Sequence, residues 1–436
     1  MTTSKAIMLL VHQGFSFVEE ISTLVKEAGL GLCILTSKPQ NPDRIELISG
    51  LTEHVCVSEH TALQQSDVDT ALALLKSRNI DLISCIATYE GYRLLMAEVN
   101  SNCNALDSSV SSIAKTLDKY SFRKELFDAG ISQIESVLLN KARFQQCKNE
   151  NKTLFIKPRR GAASFSSFPL SDEITWDFIV EQQQAMKADA QFSSMFLGNY
   201  DFVAEGFVTG QEFSYEVVLL EGQVYLMAIH EKVGLKNLAF SVLETAFLSP
   251  PIAPITQHWS LARAKIAEAM QVLGLENGVF HIEGRYDLTA KHFDFIEINP
   301  RMGGSLINHS VEIVTQGYSM LTLWVQLMLV KSAEQKMALK ALLERLEYSS
   351  EHSPVSSYIQ IYYAESGKVI KTVEKKHCEL EPKTFLIHMK EKMATPNSNR
   401  EIFAAEGVWQ ISRTTREEEV VQLAKVCEPI FELSYQ

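Results

Sequence analysis

The feature that most constrains this chain is a run of alternating residues over 279–305. Its second half places one set of side chains on one face of a strand and a second set on the other: Phe293, Phe295, Glu297 and Asn299 against Asp294, Ile296 and Ile298. Its first half places His281, Glu283 and Arg285 on one face. The residues between the halves, 287–291, are few enough to close a hairpin. We therefore predict an antiparallel hairpin in which Glu283 and Glu297 lie nearly opposite each other.

Two carboxylates in such a pair, about 5 Å apart, repel each other unless a cation or a shared proton relieves them. With the Asn299 amide they form an all-oxygen set, which suits Mg²⁺. A hairpin on a sheet rim with solvated acids is the alternative. The residues that follow favour a binding site, because Pro300 ends the strand, Arg301 is a fixed cation, and Gly303 and Gly304 let the backbone approach a ligand closely.

The order Glu-x-Asn-x-Arg, with another strand glutamate earlier in the hairpin, resembles the metal and phosphate site of the ATP-grasp superfamily. The resemblance implies that Mg²⁺ (or Mn²⁺) bridges the phosphates of ATP and is held by Glu283, Glu297 and Asn299. It also implies that Arg301, beside Gly303 and Gly304, contacts the phosphates or an acyl intermediate. The form NPRMGGS is most similar to L-amino acid ligases, the ATP-dependent dipeptide synthases, with biotin carboxylases as cousins.

Length and charge restrict the class of protein. A chain of 436 residues has room for about two to four domains. The net charge of −12 argues against general binding to nucleic acid or to an anionic membrane. Seven scattered cysteines without a CxxC pair are typical of free thiols in a reducing compartment. The apolar run at 6–11 is too short for a signal peptide, so we expect a cytoplasmic protein.

Strand and helix patterns alternate along the first hundred residues, which predicts a parallel sheet with helices on both faces. The turn at 12–16 lacks G-x-G-x-x-G, so we place no nucleotide there. The fold class predicted is α/β, with an α+β ATP-grasp fold. Its parts are an N-terminal α/β domain over 1–110, an ATP-grasp domain over 111–330 with a hinge near 203–212, and a small C-terminal α+β domain over 331–436. In the last part, strands at 355–364 and 369–373 are predicted to pair.

Two lysines are candidates for phosphate binding. Lys157 ends a short apolar strand, and the small residues after it, including Ser164, would let backbone amides surround an anion. The segment Asp118-Lys119-Tyr120 is similar to the start of the ATP-grasp fold, which implies that Lys119 binds nucleotide phosphate. The loop has fewer glycines than many relatives have, and a surface turn with a basic cluster is the alternative.

The segment at 201–220 reads as two strands about a Thr209-Gly210 turn. By resemblance, Glu205, Gly206 and Phe207 form the strand whose backbone reads adenine, and Glu212 is a ribose or supporting acid. An antiparallel hairpin with solvated acids would show the same pattern. The resemblance also suggests His230 and Glu231, at the end of a strand, as polar substrate contacts. The helix predicted over 306–330 would carry two more candidates, Asn308 and His309, close to the site. A hydrogen-bonded structural histidine is the alternative reading for His230.

Together these features predict an ATP-dependent ligase that joins a carboxylate to an amine through an acyl phosphate, with ADP and phosphate released. Its partners would be small-molecule substrates, most simply amino acids or similar compounds, and the resemblance allows a homodimer. The alternatives are a biotin-carboxylase-like or other ATP-grasp enzyme, and a nucleotide-binding regulator without chemistry. Biotin carboxylases follow the arginine with Gln-Val-Glu, where this chain has Met302-Gly303-Gly304.

Overall fold

The computed structural model describes residues 4–15, 17–52, 54–150, 152–161, 163–189, 192–237, 242–252, 259–349, 353–397 and 400–436. Ala162, part of the predicted small-residue loop, lies outside the described residues. The described strands form a parallel sheet of four strands, an antiparallel sheet of four, an antiparallel sheet of eight and a two-stranded ribbon. Among the described residues, no helix is both long and apolar enough to cross a lipid bilayer.

The N-terminal part is the parallel sheet, in the order β3-β2-β1-β4. Its elements are β1 (Ser4–Val11), α1 (Val18–Glu27), β2 (Gly31–Thr36), α2 (Asp43–Leu51), β3 (His54–Val57), α3 (Gln65–Ser77), β4 (Ile80–Ile86) and α4 (Arg93–Asn102). The apolar side chains of β1 are buried, and α1 covers the sheet with Val18, Ile21 and Val25. The predicted parallel α/β architecture is confirmed, and α2 was not predicted.

The next part carries the smaller antiparallel sheet, in the order β5-β8-β6-β7. Its elements are α5 (Val110–Thr116), α6 (Lys119–Asp128), β5 (Ser136–Leu138), α7 (Lys141–Asn149), β6 (Leu154–Pro158), β7 (Phe168–Pro169), α8 (Trp176–Ala188) and β8 (Phe202–Gly206). Asp118 caps α6, because its side chain accepts a hydrogen bond from Ser121 N–H. The cap fixes where this helix starts, and so fixes Lys119 in its first turn.

The eight-stranded sheet runs in the order β13-β12-β9-β10-β11-β14-β17-β16. The strands and helices of this part are β9 (Gln211–Leu220), β10 (Gln223–Asn237), β11 (Val242–Ser249), α9 (Trp259–Leu273), β12 (Gly278–Asp287), β13 (His292–Asn299), α10 (Ile307–Val314), α11 (Met320–Leu329), α12 (Ala333–Leu346), β14 (Val355–Tyr363), β15 (Ile370–Lys375), β16 (Thr384–Ile387), β17 (Phe403–Ser412), α13 (Glu417–Cys427) and β18 (Phe431–Tyr435). Short 3₁₀ turns span Glu90–Tyr92, Ser193–Phe196 and Glu428–Ile430.

The central strands of the eight-stranded sheet are buried on both faces. Along β9, Val217 and Leu219 belong to the core that includes α9, whereas Val218 and Leu220 belong to the core that includes α11. Each fully buried aliphatic side chain of this kind contributes about 1.5–3 kcal/mol. A sheet held rigidly in this way is a stable base for side chains that project from its strand ends.

One predicted strand pairing is wrong, and the hairpin given as an alternative about Thr209-Gly210 does not form. There β8 pairs with β5 and β6, whereas β9 pairs with β10 and β12. The connection at 207–210 therefore passes between two sheets, as a hinge does. The strand after Gly367 was predicted to pair with β14, but β15 pairs with β18 instead.

The hairpin formed by β12 and β13 has the predicted register but not the predicted alternation of side chains between the two faces of β13. Glu283 lies opposite Glu297, as expected. Gly284 then pairs with Phe295, so Ile296 is an extra residue, a β-bulge in β13. The bulge shifts the alternation by one, so that Phe295 and Ile298 both lie in the core shared with α9. Glu297 and Asn299 are thereby directed away from that core.

Candidate active site

Two adjoining cavities lie along the hairpin. The first cavity, about 170 Å³, is bounded by the smaller antiparallel sheet and the eight-stranded sheet, and the predicted residues that line it are Lys119, Lys157, Ser164, Glu205, Gly206, Phe207, Glu212, Glu283 and Glu297. The second cavity, about 300 Å³, shares Ser164, Glu283 and Glu297 with the first, and Asn299, Arg301, Gly303 and Gly304 also line it. Every residue predicted for the nucleotide, the metal or the chemical step therefore lines one or both cavities.

Lys157 occupies the end of β6, where its ammonium is almost entirely buried. Its Nζ lies 2.5 Å from Glu205 Oε1 and donates to the Ile296 carbonyl at 3.2 Å. Burial lowers the pKa of Lys157. Although burial alone would raise the pKa of Glu205, Lys157 and Arg123 hold it below its usual value. The bulge at Ile296 thus has a role, because it presents a carbonyl to the lysine.

Lys119 connects the small-residue loop to the acid pair. Its Nζ donates to the Gly161 carbonyl at 2.6 Å and lies 3.2 Å from Glu297 Oε2. Burial alone would lower the pKa of Lys119, but the neighbouring carboxylates, Glu297 foremost, raise it. The group is therefore a cation at neutral pH. With Lys157 it gives the first cavity two positive charges opposite the hairpin.

The hinge segment differs in detail from the adenine-reading strand expected by resemblance. The amides of Gly206 and Phe207 are already engaged, since they donate to the carbonyls of Glu135 and Thr153 at 3.2 Å. Val208 also lines the first cavity, and within the described chain its N–H makes no hydrogen bond. The backbone N–H that is available at this hinge to donate a hydrogen bond to a nucleobase is therefore that of Val208, which the sequence pattern did not single out.

Glu212 is neutralised by two cations. Arg285 donates to its Oε2 from Nε at 2.9 Å and from Nη2 at 2.7 Å, and Lys232 Nζ lies 2.6 Å from its Oε1. The Arg285 guanidinium also lies over the Phe207 ring, 4.9 Å from its centroid. These contacts give Glu212 a supporting position, in which it orients Arg285 along the wall of the first cavity.

The paired acids of the hairpin both have cationic partners, two for Glu283 and one for Glu297. Glu283 Oε1 lies 3.1 Å from Lys232 Nζ and 3.2 Å from His281 Nε2, and Glu297 has Lys119. The pKa of Glu283 is held well below its usual value, since Lys232 and His281 outweigh the effect of burial. Glu283, Glu297 and Asn299 together present an all-oxygen donor set to the second cavity, which fits Mg²⁺.

A second group of acids is close enough to hold a cation, but a lysine ammonium already lies among them. Carboxylate oxygens of Glu212, Glu244 and Glu283 lie within 4.8 Å of one another. Lys232, whose side chain is fully buried, contacts all three. We call Lys232 with these three acids the lysine cluster. Because the Lys232 ammonium already lies at the centre of these acids, the group formed by Glu283, Glu297 and Asn299 is the better candidate for a metal.

Comparison with known proteins agrees with this arrangement. Residues 150–309 match the sequence profile described as ATP-grasp domain. Residues 150–309 form an ATP-grasp domain. No curated protein sequence matches the chain. The predicted ATP-grasp fold is thus confirmed, and the ATP-grasp domain contains the hinge, the lysine cluster and the complete hairpin.

Solved structures share this fold over nearly the whole chain. An L-amino acid ligase from Bacillus licheniformis has a TM-score of 0.76 at 15% identity, with 100% of both chains covered. A phosphoribosylglycinamide synthetase from Anaerococcus prevotii has a TM-score of 0.64 at 12% identity, over 99% of this chain and 100% of that one. The biotin carboxylase domain of a Hydrogenobacter thermophilus 2-oxoglutarate carboxylase has a TM-score of 0.65 at 14% identity, over 98% and 90%.

Arg301 lies where the ATP-grasp domain meets the N-terminal sheet. Its Nε lies 2.8 Å from Glu90 Oε2, and its Nη1 donates to the Met302 carbonyl at 3.0 Å. Gly303 has no room for a side chain, since a Cβ there would lie 2.7 Å from Ile307 Cγ2. Gly304 has open space around it. The arginine and the glycine backbone therefore form one wall of the second cavity, with Glu90 fixing the arginine.

The four residues predicted as substrate contacts are not among the residues that line these two cavities. His230 is fully buried beside Ser310, and burial lowers its pKa to about 4. Glu231 accepts from Ile252 N–H at 2.9 Å. Asn308 accepts from Leu321 N–H at 2.9 Å, and His309 sits on α10 away from the cavities. Each of the first three is occupied by a structural hydrogen bond.

The second cavity is also lined by residues that the sequence pattern did not assign. The C-terminal part supplies Ile361, Tyr363, Glu401 and Phe403 to the second cavity, and β11 supplies Glu244 and Phe247. His281 bridges Glu216, at 2.7 Å, and Glu283. Although burial opposes it, the Glu216 carboxylate raises the pKa of His281 to about 10, so this side chain is an imidazolium at neutral pH. The only sign of the contact between His281 and Glu283 in the sequence was their predicted position on the same face of a strand.

Proposed function

We propose that this protein is an ATP-dependent ligase that joins a carboxylate to an amine through an acyl phosphate. The observation that carries the proposal is the boundary between the cavities. There the cations Lys119 and Lys157 face the acids Glu283 and Glu297, and the second cavity opens directly beyond. A triphosphate reaching along the first cavity would place its terminal phosphate beside a substrate in the second.

The residues divide the work by position. The Val208 N–H would donate a hydrogen bond to the adenine base of ATP, and the Lys119 and Lys157 ammonium groups would pair with its phosphates. Glu283, Glu297 and Asn299 would hold Mg²⁺, which when bound supplies neutralising charge to the transferred phosphoryl group. Arg301, oriented by Glu90, would offer two-pronged hydrogen bonds to the oxyanion that forms when the amine attacks.

For substrates we propose amino acids or amino-acid-like compounds, joined as a dipeptide or amide. The fold similarity to the L-amino acid ligase supports this choice, as does the mixed lining of the second cavity, which is polar beside Arg301 and apolar at the C-terminal strands. A biotin-carboxylase-like reaction is the second candidate, favoured only by the similarity to that fold. All seven cysteines are free, which accords with our proposal of a cytoplasmic enzyme.

The test is to incubate the protein with ATP, Mg²⁺ and pooled L-amino acids, and to measure nucleotides and condensed products by mass spectrometry. We expect ADP, phosphate and an amide. Release of AMP and pyrophosphate would overturn the acyl-phosphate route. ADP release that requires bicarbonate and no amine would favour the carboxylase candidate. Glu297→Gln is the matched control, because it keeps the side-chain shape while removing charge from the metal site.

A further inference from the structure

Glu401 stands out among the carboxylates of the second cavity because no cation pairs with it in the described parts of the chain. It precedes β17, is 7% exposed, and lines the second cavity. Its Oε1 accepts a hydrogen bond from Ser164 Oγ at 3.4 Å. The adjacent Arg400 is directed elsewhere, since its Nε lies 3.0 Å from Asp189. A buried carboxylate without a counter-ion is costly, so its environment favours the arrival of a cation.

The charged neighbours of Glu401 do not supply that cation. From β11 and β12, Glu244 and Glu283 add negative charge, and the positive charge of Lys232 on β10 is shared within the lysine cluster. Burial, followed by the charge of Glu244, raises the pKa of Glu401 to about 8. Burial likewise raises the pKa of Glu244 to about 7, despite Lys232. This side of the second cavity therefore has carboxylates with unusually high affinity for a proton.

The wall beside Glu401 is apolar. Phe403, two residues further along the same extended segment, also lines the second cavity, and its ring lies 5.3 Å from that of Tyr363. Ile361 and Phe247 continue this wall on β14 and β11. A ligand that satisfies both features carries an ammonium group attached to an apolar or aromatic body. A hydrophobic amino acid has this chemistry.

Glu401 also lies close to where the chemistry would occur. Its partner Ser164 lines both cavities, and the backbone N–H of Glu401 donates to the Ala163 carbonyl at 3.3 Å. The carboxylate is thus attached to the small-residue loop, at the boundary where Glu297 also lies. A group bound there would be next to the activated carboxyl group of the other substrate.

We propose that Glu401 binds the ammonium group of the acceptor amine and takes up one of its protons before the amide forms. This inference rests on the ligase function proposed above. Glu401 first takes one proton from the ammonium group, which exposes the nitrogen lone pair. The lone pair attacks the carbonyl carbon of the acyl phosphate, and the bond from that carbon to the phosphate oxygen breaks. Phosphate leaves with the electron pair and takes the second proton that the nitrogen loses as the amide forms. The acceptor is assigned here, not the donor, because only the acceptor nitrogen has to lose a proton to react.

The test compares a charged with an uncharged acceptor. Hydroxylamine is neutral at the assay pH and traps acyl phosphates as hydroxamates without needing an ammonium site. For Glu401→Gln we expect hydroxamate formation from ATP, Mg²⁺ and each L-amino acid donor to stay within about twofold of wild type. With L-phenylalanine or L-leucine as acceptor we expect amide formation at pH 7 to fall by at least about 100-fold. The remaining activity should rise with pH, since only the free amine reacts, and Glu401→Asp should restore part of it.

The controls separate this inference from the proposed function. Glu406→Gln is the matched substitution, because Glu406 is also buried on β17 but bonds His388 and Ser305, and it should leave the acceptor KM unchanged. Equal loss of hydroxamate and amide in Glu401→Gln, or no loss of either, would overturn the role of Glu401. A wild-type protein that forms neither ADP nor hydroxamate with any donor would instead overturn the ligase proposal itself. Circular dichroism on each variant establishes that it is folded.

Discussion

Replacing Lys232 with methionine tests how much of this active site depends on one buried ammonium. Lys232→Met keeps the length of the side chain but removes the charge at the centre of the lysine cluster. Glu212 would keep its paired contact with Arg285, and Glu283 would keep His281. Glu244 would be left without a cation among the described residues. The cost therefore falls mainly on one carboxylate.

The magnitude follows from that single orphaned charge. Removing one partner of a buried ion pair typically costs about 3–5 kcal/mol, and we expect about 3 kcal/mol at pH 8. Burial already raises the pKa of Glu244 to about 7, and without Lys232 it should rise further. A carboxyl group whose folded-state pKa lies above its unfolded value loses stability as pH rises, so the variant should recover on acidification. Each pH unit across that range is worth up to about 1.4 kcal/mol, so the loss at pH 6 should be roughly 1 kcal/mol or less.

The assay is urea unfolding at pH 6 and pH 8, with and without Mg²⁺. Because the acid oxygens lie within 4.8 Å of one another, Mg²⁺ should stabilise the variant at pH 8 more than the wild type. The matched control is Lys236→Met, since Lys236 is exposed on the same strand and should change stability by less than about 0.5 kcal/mol. An equal loss at both pH values would refute the reasoning, because the orphaned charge could not then be its cause.

Three further outcomes are expected. Glu297→Gln should abolish Mg²⁺-dependent ATP turnover while leaving the circular dichroism spectrum unchanged, and full activity at limiting Mg²⁺ would count against the metal assignment. Arg301→Lys should slow amide formation by about 10² to 10³-fold with little change in ATP affinity measured by calorimetry, because lysine lacks the planar fork; a proportional loss of nucleotide binding would contradict this. Because burial raises the folded-state pKa of Glu401 from 4.5 to about 8, wild-type stability should fall between those pH values, so Glu401→Gln should raise Tm relative to wild type at pH 8.5 and not at pH 5; a pH-independent difference would contradict it.

The hairpin shows which features the local sequence pattern can predict and which it cannot. Its period of two placed Glu283 opposite Glu297 correctly, because register depends on residues close in sequence. The bulge at Ile296 was not predictable, since it serves contacts to Lys157 and Arg123 from far away in the chain. The faces assigned to Phe295 and Ile298 were wrong for that reason.

Long-range contacts explain the other differences. Nothing near Thr209-Gly210 reveals that its two flanking strands belong to different sheets. The hydrogen bonds that join His230 to Ser310 and Asn308 to Leu321 were not predictable, because they depend on how helices later in the chain pack. Glu401 was missed because it follows Glu244 by well over a hundred residues and belongs to no local motif.

The eight-stranded sheet runs without interruption from the hairpin strand β13 to β16 near the C-terminus. A gene truncated after residue 330 would leave β11 with a bare edge, since β14 is its neighbour there. The same cut would remove Tyr363, Glu401 and Phe403 from the second cavity. On the proposal made for Glu401, exchanging residues 331–436 between two proteins of this fold should transfer the preference for the acceptor amine. The incoming segment must then supply a strand that pairs with β11 as β14 does.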